Sequence, residues 1–211
     1  MQKDKVRYSD LFWLFIIASW IGVILEGFYC LFKFGTWESH VVSVYGHFCI
    51  IYGIGIAGYY AISMYINKLN IFLKYLLYAS VGTMVELVCG LVLEYGLNMY
   101  AWSYKNSFMN FKGHICLFMF LVWGIFGVLF EYTTPYLRKF LNLTRNKVFN
   151  IILPFFTAFM IFNFTVTGIA IVRWADRHKG IEATNKITKH IDKKYNDKYM
   201  EKRFMEWHFF E

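Results

Sequence analysis

Charge is what this sequence has least of. Only 17% of its 211 residues are charged, against roughly a quarter in water-soluble domains, while 58% are hydrophobic and mean hydropathy is +0.40. That shortage excludes the ordinary soluble classes and implies a surface that largely faces lipid. Enzyme signatures are also missing: there is no G-x-S-x-G elbow, no H-E-x-x-H pair and no phosphate-cradling G-x-x-x-x-G-K-[ST] loop. The last absence removes the usual route to ATP hydrolysis, and the balance is against an enzyme, so no catalytic residue is assigned. Cys30, Cys49, Cys89 and Cys116 all fall inside apolar runs without metal-ligand or redox spacing. They read as small buried apolar residues, and no metal or cofactor is expected.

Basic residues exceed acidic ones, 22 to 14, giving a formal net charge of +8. They sit in the gaps between apolar runs rather than in a basic-aromatic patch. That distribution excludes nucleic acid as a partner and fits a chain beside anionic lipid. Aromatics are abundant, with 23 Phe, 16 Tyr and 7 Trp, as lipid-facing surfaces and interfacial belts require.

Five apolar runs follow one another: Leu11–Phe32, Gly46–Ile66, Ile71–Tyr95, Ile115–Thr134 and Val148–Val172. Each approaches the ~20 residues that cross ~30 Å of hydrocarbon as a helix. The runs are continuous rather than alternating, which excludes a barrel. The expected fold is therefore all-α, a polytopic membrane bundle of about five helices over residues 1–172. A mixed-charge tail, 173–211, is expected to follow it. The first run is too long for a signal-peptide core and reads as an uncleaved helix. Pro135 and the basic loop Arg138–Lys147 are expected to stop the fourth span, and the three glycines of Gly46–Gly55 to break or crowd the second. The short loops carry Lys3, Lys5, Arg7, Lys68, Lys74, Arg138, Lys139, Arg145 and Lys147 on one side, and Lys33, Lys105 and Lys112 on the other. This bias favours the N-terminus inside and, with five spans, the tail outside unless a re-entrant segment adds a crossing.

Glu26, Glu86, Glu94 and Glu131 interrupt the apolar runs. An ionised carboxylate at mid-bilayer costs about 2.5–3.5 kcal/mol, so such residues face the bundle interior, sit near an interface or stay protonated. Glu86 is the deepest. Gly82, Glu86, Gly90 and Glu94 step by four along one face, and the glycines allow a neighbouring helix to approach closely. Ser19, Gly22 and Glu26 form a similar stripe on the first span. Two readings stay open: a polar interior that binds or passes a cation, proton or polar solute, or acids that accept hydrogen bonds and join helices.

Tyr52 lies in the glycine-rich start of the second span. Trp102, Tyr104, Asn110 and His114 concentrate polar tips at one interface, and Trp123 lies in the fourth span. With Glu26, Glu86 and Glu94 they make up the candidate substrate or ion pathway. In the tail, Ile187, Ile191, Tyr195 and Tyr199 recur every fourth residue, which predicts an amphipathic helix packed on the membrane face or on the bundle, with docking to a partner as the alternative.

These stretches resemble the CmpB-like family of type IV ABC-transporter membrane proteins. The resemblance is carried by Ser19-Trp20-Ile21-Gly22 through Leu25-Glu26, Cys49 with Ile51-Tyr52-Gly53, Val85-Glu86-Leu87 and Leu93-Glu94. It continues through Trp102 and Tyr104, Asn110-Phe111, Gly113, Ile115-Cys116-Leu117 and Trp123-Gly124, and in the tail through Arg177-His178-Lys179-Gly180, Asp192, Tyr195-Asn196-Asp197 and Met200-Glu201-Lys202-Arg203. The chain departs from the pattern where His47 and Ile50 replace prolines, Ser103 replaces an acid, and Asn163 stands where an acid is common. The resemblance implies a permease of the plasma (inner) membrane working with a separate ATPase subunit. The alternative is a non-transporting accessory protein that binds another membrane protein or lipid. A third reading pairs Glu94 with His114 as acid and base of a lipid-acting enzyme.

Overall fold

A computed structural model describes residues 6–37 and 40–210. Lys3 and Lys5, counted among the short-loop cations, lie outside the described residues, as do Glu38 and Ser39. Among the described residues the chain is all-α apart from one pair of two-residue strands. In order it forms α1 (Tyr8–Phe34), α2 (Ile50–Ser63), α3 (Ile71–Leu91) with a π-helical turn Val92–Gly96, β1 (Met99–Tyr100), α4 (Leu117–Leu143), α5 (Lys147–His178), α6 (Lys186–Lys194), α7 (Asp197–Arg203) and β2 (His208–Phe209).

Among the described residues, four helices are long and apolar enough to cross a membrane: α1, α3 with its π turn, α4 and α5. The second expected span is shorter than its apolar run. Its helix has 14 residues, about 21 Å at 1.5 Å per residue. The preceding backbone is looped instead, with Val42 N donating to Phe48 O at 2.8 Å and Gly46 at φ +72°. The glycine-rich start of the run is where the helix gives way.

Pro135 does not stop the fourth span, as the sequence had implied. The helix runs through it to Leu143. Proline removes one backbone bond, but in lipid every backbone group needs an internal partner, so continuing the helix costs less than ending it there. Thr133 and Thr134 both donate their hydroxyls to Phe130 O, at 2.7 and 3.2 Å, one turn before the proline. The helix α5 also outruns its apolar stretch. Its 32 residues measure about 48 Å, against ~30 Å of hydrocarbon, and its last turns carry Arg173, Asp176 and Arg177.

Contacts divide the chain into two compact units. The first joins Met1–Ser19, Ile50–Cys89 and Ser103–Thr157. Close approach of α3 and α4 defines it: a Cβ on Gly124 would overlap the Tyr75 ring, and one on Gly127 would overlap Tyr78 Cβ. At the start of α1, fully buried Asp10 accepts from Arg145 Nη2 at 2.9 Å.

The second unit joins Trp20–Cys49, Gly90–Trp102 and Ala158–Glu211. Its core gathers Val44, Leu93, Met99, Trp174, Met200 and Phe204, and β1 pairs antiparallel with β2, Met99 opposite Phe209. The single amphipathic tail helix expected from sequence divides in two. Asn185 caps α6 reciprocally with Thr188, and Asn196 starts α7 by accepting from Tyr199 N at 3.0 Å. Ile191, Tyr195 and Met200 turn inward, while Ile187 stays exposed.

Candidate functional site

The polar interior of the first unit is organised along one face of α3. Lys74, Tyr78, Gly82 and Glu86 recur at four-residue steps, so they stack on one side of the helix. Glu86 is buried at 5% exposure, as its desolvation cost in lipid requires. Its carboxyl group meets two donors: Tyr104 Oη at 2.7 Å from Oε1, and Trp123 Nε1 at 3.0 Å from Oε2. Both donors are neutral.

Gly82, one turn below, makes room for this arrangement. A Cβ there would stand 2.7 Å from Trp123 Cγ and 2.8 Å from the Tyr59 hydroxyl. Tyr59 in turn donates to Trp123 O at 3.0 Å, fixing α2 to the backbone that carries the indole.

Further along the same face, Glu131 of α4 receives Lys74 Nζ and Tyr78 Oη, each at 2.5 Å. The two acids therefore differ in kind. Glu131 has an ammonium beside it; Glu86 has an indole and a phenol.

Tyr104 comes from a loop rather than a helix, and the loop is built to hold it. Tyr104 N donates to Gly113 O at 2.8 Å, and Phe111 N to Ile115 O at 2.9 Å. The Asn110 amide spans the turn, donating to Lys105 O and Ser107 O at 3.1 and 3.0 Å and accepting from Gly113 N at 3.1 Å. Gly113 sits at φ +77°, where a side chain would also press on Lys105.

Of the residues singled out from sequence, Glu86, Tyr104 and Trp123 thus meet directly, and Asn110 shapes the loop that delivers Tyr104. His114 is buried, with its backbone N bonded to Phe111 O. Tyr52 is half-buried on α2. Glu26, Glu94 and Trp102 belong to the second unit. There Glu26 is half-buried on the α1 face that also buries Gly22, Gly27 and Cys30, and Glu94 lies in the π turn. Trp102 packs on the core. Lys74, Tyr78 and Tyr59 were not singled out as pathway residues, although the four-residue stepping continues back from Gly82 to Tyr78 and Lys74.

A family model described as "Putative ABC-transporter type IV" matches residues 13–168, about three quarters of the chain. The chain belongs to that family. No curated protein and no solved structure matches it. Family membership and four long apolar helices make this a transporter-related, multi-pass membrane protein. The match to this ABC-transporter family takes in Glu86, Tyr104, Trp123 and Glu131.

It ends before the charged cluster of the second unit, where Arg173 and Arg177 bind three aspartates. Arg173 pairs with Asp176 and Asp192 at 2.9 and 2.8 Å, and Arg177 with Asp192 and Asp197 at 2.6 and 2.7 Å. The Arg173 guanidinium, followed by that of Arg177, holds the Asp192 carboxyl below the usual carboxylate range.

This cluster backs a tail that grips residues 43–46. Arg203 donates to Ser43 O at 2.9 Å and to Gly46 O, and Tyr199 Oη donates to Val44 O at 3.2 Å. From α5, Asn163 accepts from Tyr45 N at 3.2 Å and donates to Tyr45 O at 2.8 Å, while Thr167 accepts from Val44 N at 2.9 Å. At the Tyr45 hydroxyl, Lys194 lowers the phenol's pKa, whereas burial pushes its partner Tyr195 up to about 12.

Proposed function

We propose that this chain is the membrane-embedded permease component of an ABC-type transporter, with ATP hydrolysis supplied by a separate subunit and Glu86 serving as a proton-exchanging carboxyl group. One observation carries this reading. Glu86 is a buried carboxyl within a 26-residue apolar span whose two hydrogen-bond partners are uncharged. A charge in that setting is costly, and neither hydrogen-bond partner supplies a counter-charge.

The geometry accommodates both states without moving a helix. As a carboxylate, Glu86 accepts from phenol and indole together. As an acid, it keeps Oε2 as acceptor for the Trp123 N–H, which can only donate, and turns the Oε1 proton toward Tyr104, whose oxygen can also accept. Trp123 fixes one oxygen while Tyr104 reverses its role at the other. Glu131, with Lys74 beside it, lacks this freedom and serves to join α3 to α4.

The test begins with capture of the chain from membranes in mild detergent and assay for a co-purifying ATPase. Glu86→Gln is then compared with the wild type in proteoliposomes loaded with a pH-reporting dye. Gln reproduces both hydrogen bonds but carries no titratable proton, so stability and assembly stay unchanged while proton flux falls at least tenfold. Equal flux from both proteins, or no ATPase partner and no flux from either, would refute the proposal and leave a scaffold whose acids only pack helices.

A further inference from the structure

The second unit contains a cleft of about 790 Å³ that the Glu86 site does not use and that lies almost wholly beyond the matched family region. Its volume falls within the usual range for small-molecule pockets. Two kinds of side chain line it. Tyr100, Trp174, Trp207, Phe209 and Phe210 supply rings, and Asp197 and Glu201 of α7 supply carboxylates.

Arg177, His178 and His208 also border the cleft, and their geometry decides the sign of the ligand. Each Arg177 nitrogen already has a partner: Nε donates to Asp197, Nη1 to Asp192 and Nη2 to Tyr195 O, at 2.7, 2.6 and 3.0 Å. It has little left to offer an anion. The His178 ring lies flat on Phe209, centroids 3.9 Å apart, and the His208 ring lies 5.5 Å from that of Tyr100. Among the lining residues, Asp197 and exposed Glu201 stand against the single guanidinium of Arg177, which leaves one surplus negative charge at the cleft. Aromatic faces beside surplus carboxylate charge are the recognition chemistry of organic cations.

We infer that this cleft binds an organic cation, an amine or quaternary ammonium group, with the rings around its alkyl surface and Asp197 and Glu201 as counter-charges. The inference stands whether or not the chain transports protons. The cation can be free in solution or the head group of a lipid.

The full chain is titrated calorimetrically with choline in nanodiscs of phosphatidylglycerol, and separately with the neohexyl alcohol that replaces choline's nitrogen by carbon. Choline binds saturably and the alcohol at least tenfold more weakly. Glu201→Gln, an exposed change that leaves thermal stability intact, weakens choline about fivefold. Tyr100→Leu weakens it independently. If phosphatidylcholine in the nanodisc competes with added choline, the lipid head group is a ligand; if it does not, the free cation is the ligand. Equal binding of choline and its neutral analogue, no effect of Glu201→Gln, or no saturable heat overturns the inference.

Discussion

Replacing Lys74 with Met gives the sharpest test of the contrast between the two interior acids. The wild-type ion pair is largely covered, with side-chain exposures of 12% for Lys74 and 21% for Glu131. Methionine fills similar volume but leaves Glu131 facing apolar surroundings with the Tyr78 hydroxyl as its remaining donor of the two. Removing one partner of a buried pair costs about 3–5 kcal/mol, and a carboxylate within the bilayer about 2.5–3.5 kcal/mol. The partial exposure of this pair, close to the start of α3, favours the lower end, about 3 kcal/mol. Glu131→Gln alone should cost less, about 1–2 kcal/mol, because the Lys74 ammonium can extend toward the interface. The double variant Lys74→Met with Glu131→Gln carries no orphaned charge, so it should recover at least about 2 kcal/mol relative to the sum of the singles. Equilibrium unfolding in mixed micelles, run as a double-mutant cycle, measures this directly. Additive losses would mean that the two groups do not interact, and the distinction drawn between Glu131 and Glu86 would fall with them.

Other consequences can be checked alongside. Gly127→Val should separate α3 from α4 and destabilise the first unit by about 3 kcal/mol, read in the same unfolding assay, because even a Cβ overlaps Tyr78. Asn163→Leu should cost about 2–4 kcal/mol by leaving both Tyr45 backbone groups without their amide partner, and amide exchange at residues 43–46 should quicken. Asp192 has a folded-state pKa depressed below its unfolded value. Its contribution is therefore present above the unfolded carboxylate pKa of about 3.9 and lost as pH falls through the lower folded value. Protection of α6 and α7 amides, taken relative to their intrinsic exchange rates, should fall below about pH 4, and Asp192→Asn should weaken that pH dependence while lowering protection at neutral pH.

How much of this was legible in the sequence depends on the range of the interaction. Glu86 could be placed inward because charge at bilayer depth is expensive and Gly82 and Gly90 share its face; both glycines are buried with it. Tyr104 and Trp123 stood out as polar-tipped aromatics beside that run, although their convergence on one carboxyl came only with the fold. The Lys74–Glu131 pair joins residues 57 positions apart, and no local pattern announces it. Pro135 misled because proline's preference for helix ends was learned in water, where a broken helix can be hydrated. The division of the tail at Tyr195 was readable in principle: Asn196-Asp197 is a helix-start signal, and it outweighs the four-residue hydrophobic repeat that runs across it.

The loop origin of Tyr104 bears on timing. Every other group around Glu86 rides on a helix, and helix displacements in packed bundles take microseconds to milliseconds. A short turn held by a few backbone bonds and one asparagine amide can loosen in nanoseconds to microseconds. If Glu86 exchanges protons as proposed, access to it is governed by this short stretch of chain, and the pace of that exchange can be retuned at Asn110 without redesigning the bundle.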